Sequence, residues 1–188
     1  MMKRPITGLI LSAVLMATQI GFAAGRTLEP AGTKIEQQIR RALVSLPFYS
    51  LFDSFSFRVD GDTVTLIGKV TRPGLKSEAE NVVKNIEGVT VVNNKIDVLP
   101  LSPFDDQLRW SLYRAIYGHT VLQPLSIRAF PPIHILVENG NVTLEGAVAT
   151  SLEKTIAGLQ ANSVLGVFSV TNNLSVENET ERAPNRPS

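Results

Sequence analysis

The sequence predicts an α+β protein made of two tandem αββαβ modules, each a small three-stranded sheet with two helices on one face. Three observations predict it. Residues 59–70, V-D-G-D-T-V-T-L-I-G-K-V, return as residues 137–148, V-E-N-G-N-V-T-L-E-G-A-V, and the register then holds without a gap to Val98 and Val176. At this constant offset of 78, thirteen positions are identical: Val59, Val64, Thr65, Leu66, Gly68, Val70, Lys76, Ala79, Gly88, Val89, Val92, Asn94 and Val98. In both copies, stretches of period two and period 3.6 follow in the same order, punctuated by turn and capping residues. A gapless match across a turn, a helix and a strand marks a duplication. It also supplies an internal control, because what the copies share reports the fold and what one copy alone carries is a candidate for function.

Residues 1–23 read as a secretory signal. Lys3 and Arg4 precede a largely apolar run from Ile6 to Ile20, and Gly21-Phe22-Ala23 places small residues where a signal peptidase cuts. Residues 24–32 read as a linker. Module one, 33–100, opens on Thr33-Lys-Ile-Glu36, a capping-box pattern, with Ile35, Ile39, Ala42, Leu43 and Leu46 at helical spacing and Pro47 as the stop. Phe55, Phe57 and Val59 alternate with polar residues, Asp60-Gly61-Asp62 forms a tight turn, and Val64 to Val70 is the hairpin partner. Leu75, Ala79, Val82, Val83 and Ile86 restore a helical stripe that Gly88 caps. Val92 to Val98 is the third strand.

Module two, 101–178, repeats the order. Ser102 caps a helix with Pro103 at its first position, and Leu108, Leu112, Ala115 and Ile116 form its core face. Strands are expected over Ile133 to Val137, Val142 to Val148 and Val170 to Val176. Between the last two lies a helix with a Thr150–Glu153 capping box, inward-facing Leu152, Ile156, Ala157 and Val164, and a Gly166 cap. Residues 179–188, polar with two Pro, read as a disordered tail.

Composition narrows the function. The chain has 188 residues, a formal charge of +1 and no Cys, so disulfides cannot support modules close to the lower size limit for a self-sufficient core. Residues 33–100 carry nine Lys/Arg against eight Asp/Glu, and residues 101–178 carry four against six. Neither has the basic stripe that phosphate-backbone binding needs, so nucleic acid is not an expected partner. Catalysis has little to work with. His119 and His134 are the only histidines, no nucleophile elbow or phosphate loop is present, and Asp60 with Asp62 flanks a turn glycine. No enzyme activity, cofactor or metal is expected.

The pattern of helix, V-x-x-G-x-V-T-L-x-G-x-V, helix and G-V-x-x-V-x-N-x-L/I-x-V resembles the BON domain, and both copies carry it. An exported chain with two such domains is similar to osmotically inducible periplasmic proteins of Gram-negative bacteria. The resemblance implies a periplasmic location and a non-enzymatic role in the cell envelope, with phospholipid or membrane surfaces as the usual partner. A protein-interaction or chaperone-like module docking other envelope proteins is the alternative. One departure stands out. The stretch from Tyr117 to Ile133 is five residues longer than its counterpart from Val44 to Phe55 and contains Pro124, Pro131 and Pro132.

The internal control finds one strong asymmetry. With the first helices aligned at an offset of 73, Trp110, Tyr113 and Tyr117 replace Gln37, Arg40 and Val44. At about 100° per residue these three lie opposite the Leu108–Leu112–Ile116 face, with Arg109 and Arg114 flanking them. Aromatics with polar tips favour the membrane interface, and arginines suit lipid phosphates. The expected contact surface for lipid or a partner is therefore Arg109, Trp110, Tyr113, Arg114 and Tyr117, with internal packing of the stripe as the competing reading. A second cluster, Phe48, Tyr49, Phe52, Phe55 and Phe57, is expected to serve mainly as core.

Overall fold

The computed structural model describes residues 31–177, so the signal, most of the linker and the tail lie outside the described residues. Module one runs α1 (Ala31–Val44), β1 (Ser54–Asp60), β2 (Thr63–Val70), α2 (Pro73–Lys84) and β3 (Val91–Val98). Module two runs α3 (Pro103–Tyr117), a single turn α4 (Gln123–Ser126) in the long connection, β4 (Ile133–Glu138), β5 (Asn141–Val148), α5 (Ser151–Asn162), β6 (Ser169–Asn172) and β7 (Ser175–Val176). In each sheet an antiparallel hairpin is followed by a parallel third strand, in the orders β1-β2-β3 and β4-β5-β6. β7 continues the register of β6, since Asn141 pairs with Ser169 and Val148 with Val176. The two are one strand interrupted at Asn173 and Leu174.

Each module keeps its own core. In module one α1 contributes Ile39 and Leu43, the turn after it Leu46, β2 contributes Val64, Leu66 and Val70, and α2 contributes Leu75, Ala79 and Val83. In module two Leu108, Leu112 and Ile116 meet Ile133, Ile135 and Val137 of β4 and the β5 face. Burial at these alternating and helical positions supplies most of the stabilisation, at ~25 cal/mol per Å².

The identical residues have structural work in both copies. A Cβ on Gly68 would lie 2.0 Å from the Ser54 carbonyl oxygen, and one on Gly146 1.9 Å from that of Pro132. Both glycines have positive φ, 147° and 121°, which L side chains rarely adopt. Asn94 and Asn172 each donate Nδ2 to a carbonyl of the second helix, Lys76 at 2.9 Å and Lys154 at 2.8 Å. Each also accepts from the amide two residues on, Ile96 and Leu174. They bind the third strand to the helix above it.

Several local expectations change. α1 begins at Ala31, so Thr33 lies inside its first turn and is not its cap. The helices α2 and α5 end at Lys84 and Asn162, so Gly88 and Gly166 sit in the turns beyond them with φ near +90°. Leu152 faces solvent, because Ala157, Gly158 and Ala161 define the buried side of α5 and Leu152 falls off that arc. The caps at Ser102 and Thr150 form, the latter as a full capping box with Glu153.

Residues 48–53 join the modules. Asp53 is fully buried and accepts from the amides and hydroxyls of both Ser50 and Thr71, at 2.7–3.0 Å. With the segment so held, the Leu51 carbonyl accepts from the Ile135 amide at 2.8 Å. Leu51 and Phe52 pack against the module-two core. Ser54 hydrogen-bonds Glu145, and Lys69 pairs with Glu138, across the same junction. The aromatic cluster of module one is therefore divided. Phe55 and Phe57 belong to its own core, Phe52 reaches module two, and Phe48 stands in solvent.

Candidate binding surface

The placement of Trp110 follows from how α3 is anchored. Ser102 Oγ accepts from the Asp105 amide, and the buried Asp105 carboxylate accepts from the Asn139 and Gly140 amides at 2.9 Å each. Asn139 and Gly140 both have positive φ, 53° and 77°, the signature of a type I′ hairpin turn. One turn along the helix, Arg109 donates Nη2 to the Val137 carbonyl at 2.7 Å and pairs with Asp106. Thus both the rise and the rotation of α3 against the β4–β5 hairpin are specified by polar contacts.

The five residues of the expected contact surface differ in exposure. Arg109 is 4 % exposed, although it lines the cleft beside Trp110, and Tyr117 is 3 % exposed. Tyr117 closes the long connection, its hydroxyl donating to the Ile133 carbonyl at 2.8 Å and accepting from the Ile133 amide at 3.0 Å. Burial holds its phenol well above the usual tyrosine range. Tyr113 is half-buried against the same core. The stripe is a ladder running inward, with ring centroids 6.0 Å apart from Trp110 to Tyr113 and 5.3 Å from Tyr113 to Tyr117. Trp110, at 55 % exposed, is its outer rung, and Arg114 is open to solvent one turn further.

Trp110 also forms one wall of a cleft of about 420 Å³ at the module junction. Phe52 meets its ring edge-on at 5.2 Å. Phe48 and Leu101 continue the apolar rim, and the charged Arg72, Arg109 and Asp106 also line the cleft. Phe48 is 68 % exposed and holds φ at +67°, uncommon for a bulky residue. The Arg72 guanidinium lies over its ring, 4.9 Å from the centroid, a cation–π distance. Sequence reasoning singled out Phe48 only within a cluster and missed Arg72 and Leu101. Only the left-handed Phe48 after Pro47 carried a signal, and φ is not legible in sequence.

A second cleft, about 490 Å³, lies elsewhere on the junction between Tyr49, Phe55, His134 and Glu145. The Tyr49 and His134 rings sit 5.7 Å apart. Burial pushes the His134 imidazole below its ordinary value, and burial with the nearby Asp53 and Glu145 raises Tyr49 to about 12. His119 Nδ1 accepts from the Val121 amide at 3.3 Å, as a helix-end residue.

Two duplicated α+β modules with structural polar networks and an aromatic-lined junction define a tandem two-module protein. The BON domain family matches residues 32–100 and 124–178, and the chain belongs to that family. Its domains are non-catalytic binding modules associated with the cell envelope. No curated protein matches the chain. Two solved structures of CdsD, a structural protein of the type III secretion system of Chlamydia trachomatis, show some likeness. Its C-terminal domain shares 16 % identity over 74 % of this chain and 96 % of that one, with a TM-score of 0.27. The other shares 15 % over 82 % and 100 %, with a TM-score of 0.28. At those scores the likeness carries no functional argument. Among the described residues no helix is long and apolar enough to cross a membrane.

Proposed function

We propose that the protein is an exported, periplasmic module that binds phospholipid at membrane surfaces through the face of module two that carries Trp110. The reading rests on Trp110, more than half exposed at the rim of an apolar cleft with Phe48 and Leu101 beside it. An indole in that position suits the membrane interface, where one end of the side chain is apolar and the other wet. Arg72 on the rim and Arg114 along α3 are the cations available to headgroup phosphates. Tyr113 supports the indole from below. Arg109 and Tyr117 act behind the surface, holding the helix that presents it.

The test is co-sedimentation with phosphatidylglycerol–phosphatidylethanolamine vesicles. The protein should bind, Phe48→Ala and Trp110→Ala should each weaken binding, and Arg72→Gln should reduce its salt sensitivity. No sedimentation with any vesicle composition would refute the lipid reading. Binding unaffected by all three substitutions would place the contact elsewhere.

A further inference from the structure

Because the modules share one fold at a constant offset, a surface that differs between them is not dictated by folding. Residues 77–98 of module one, α2 through β3, carry six charges: Glu78, Glu80, Lys84, Glu87, Lys95 and Asp97. The equivalent residues 155–176 of module two carry none. Apolar side chains stand in the open instead. Leu152, Leu159, Leu165 and Phe168 occupy the positions of Gly74, Asn81, Glu87 and Thr90, and are 60, 63, 98 and 86 % exposed. Phe104, 54 % exposed, lies beside Phe168, since a Cβ on Gly140 would come within 3.7 Å of both.

Phe168 leads directly into a strand edge. Among the described residues β6 pairs with β5 and no other strand, whereas β4, at the opposite edge, receives Leu51. The β6 edge therefore lies on the side of the sheet away from Leu51. Proteins normally blunt such edges with charge, above all lysine. β3, the equivalent edge, carries Lys95 and Asp97, which become Asn173 and Ser175 in module two.

We propose that this side of module two, charge-free over residues 155–176, is where two copies of the chain associate, β6 meeting β6 of the second copy antiparallel about a two-fold axis. Self-pairing sets each residue against a copy of its neighbours, and an uncharged stretch does so without juxtaposing like charges. A partner of different sequence imposes no such requirement and is commonly selected by complementary charge. Anionic lipid favours basic residues around the apolar ones, and residues 155–176 offer none. The five apolar residues expose on the order of 700 Å², at roughly 200 Å² for a free side chain of this size. That approaches the ~800 Å² each partner contributes to a standard interface.

Sedimentation velocity of the purified protein from ~1 to 100 µM tests the proposal, since interfaces of this size hold at micromolar concentration or below. A concentration-dependent dimer is expected. Phe168→Lys and Leu165→Lys should raise its dissociation constant at least about 30-fold, the effect of losing one well-packed anchor. So should Asn173→Lys, which restores the charge that module one accommodates at Lys95. Unchanged urea midpoints would show that these variants still fold. A monomer throughout the range overturns the proposal, as does a dimer indifferent to all three. A monomer whose vesicle binding is lost on Phe168→Lys gives the face to the membrane and overturns it too. Vesicle binding lost by Trp110→Ala with the dimer intact separates this interface from the lipid surface. A dimer dissociated by Trp110→Ala alone would move the interface to the cleft.

Discussion

Truncating the outer and inner rungs of the aromatic ladder should have opposite consequences. Trp110 is 55 % exposed, and an indole buries about 150–250 Å² when fully covered. Insertion at a membrane interface would then remove on the order of 100 Å² from water. At ~25 cal/mol per Å² this is about 2.5 kcal/mol, or about 60-fold in vesicle partitioning. Trp110→Ala should lose most of that factor. Its folding cost should be about 2 kcal/mol, because the covered part of the ring, on the order of 90 Å², is lost with the edge contacts to Phe52 and Tyr113. Tyr117→Ala removes a side chain that is 3 % exposed together with both hydrogen bonds to Ile133. It should cost about 3–5 kcal/mol and affect binding only through unfolding. Vesicle co-sedimentation and urea melts on the same preparations give both numbers. The reasoning fails should Trp110→Ala cost 3 kcal/mol or more of stability, or leave partitioning unchanged.

Gly146→Ala should destabilise by at least ~2 kcal/mol in urea melts, since its Cβ would sit 1.9 Å from the Pro132 carbonyl oxygen at positive φ. A midpoint matching the parent protein would mean that the β4–β5 edge relaxes freely. Asp105→Ala leaves the Asn139 and Gly140 amides without their acceptor and should cost about 2–4 kcal/mol. Amide hydrogen exchange should accelerate at those two turn residues before β5, and uniform acceleration would contradict a local role. For His134, burial lowers the folded-state pKa below the ordinary 6.5, so the unfolded chain binds the proton more readily. Its contribution to stability is complete above about pH 6.5 and declines as the pH falls from there toward the folded-state pKa. In His134→Gln, urea stability should depend less on pH across that window, and an unaltered profile would rule the imidazole out as the cause.

The residues legible in sequence are those whose partners lie close along the chain or recur in the duplicate. The hairpins, Gly68 and Gly146, the caps at Ser102 and Thr150, and the core stripes all belong to that class. The parallel third strand is legible because a helix separates it from its neighbour. The proposed binding face was legible only in part, and Arg109 and Tyr117 show why. A helical wheel places them beside Trp110, but their partners are the carbonyl of Val137 and the backbone of Ile133, in a strand that folds over one flank of α3. Periodicity reports the angle of a side chain and says nothing about what covers that angle. The cleft was hidden for a related reason. Phe48, Arg72, Leu101 and Trp110 come from four separate segments, and no local pattern ties them together.

Duplication recovers some of what periodicity loses. A position that is polar and exposed in one copy and apolar and exposed in the other has been released from the demands of folding. Sequence alignment of the copies identifies such pairs, but only burial separates them from ordinary core changes. Leu152 illustrates the point, since its spacing with Ile156 reads as a core stripe and the structure puts it in water. Joined to Leu159, Leu165 and Phe168, it marks a side of module two that the fold alone does not require. With Trp110 facing the junction cleft and these residues outside it, module two presents two separable surfaces, and module one holds the first in place through residues 48–53. Substitutions at Trp110 and Phe168 should therefore have independent effects, combining additively in any assay that reads both.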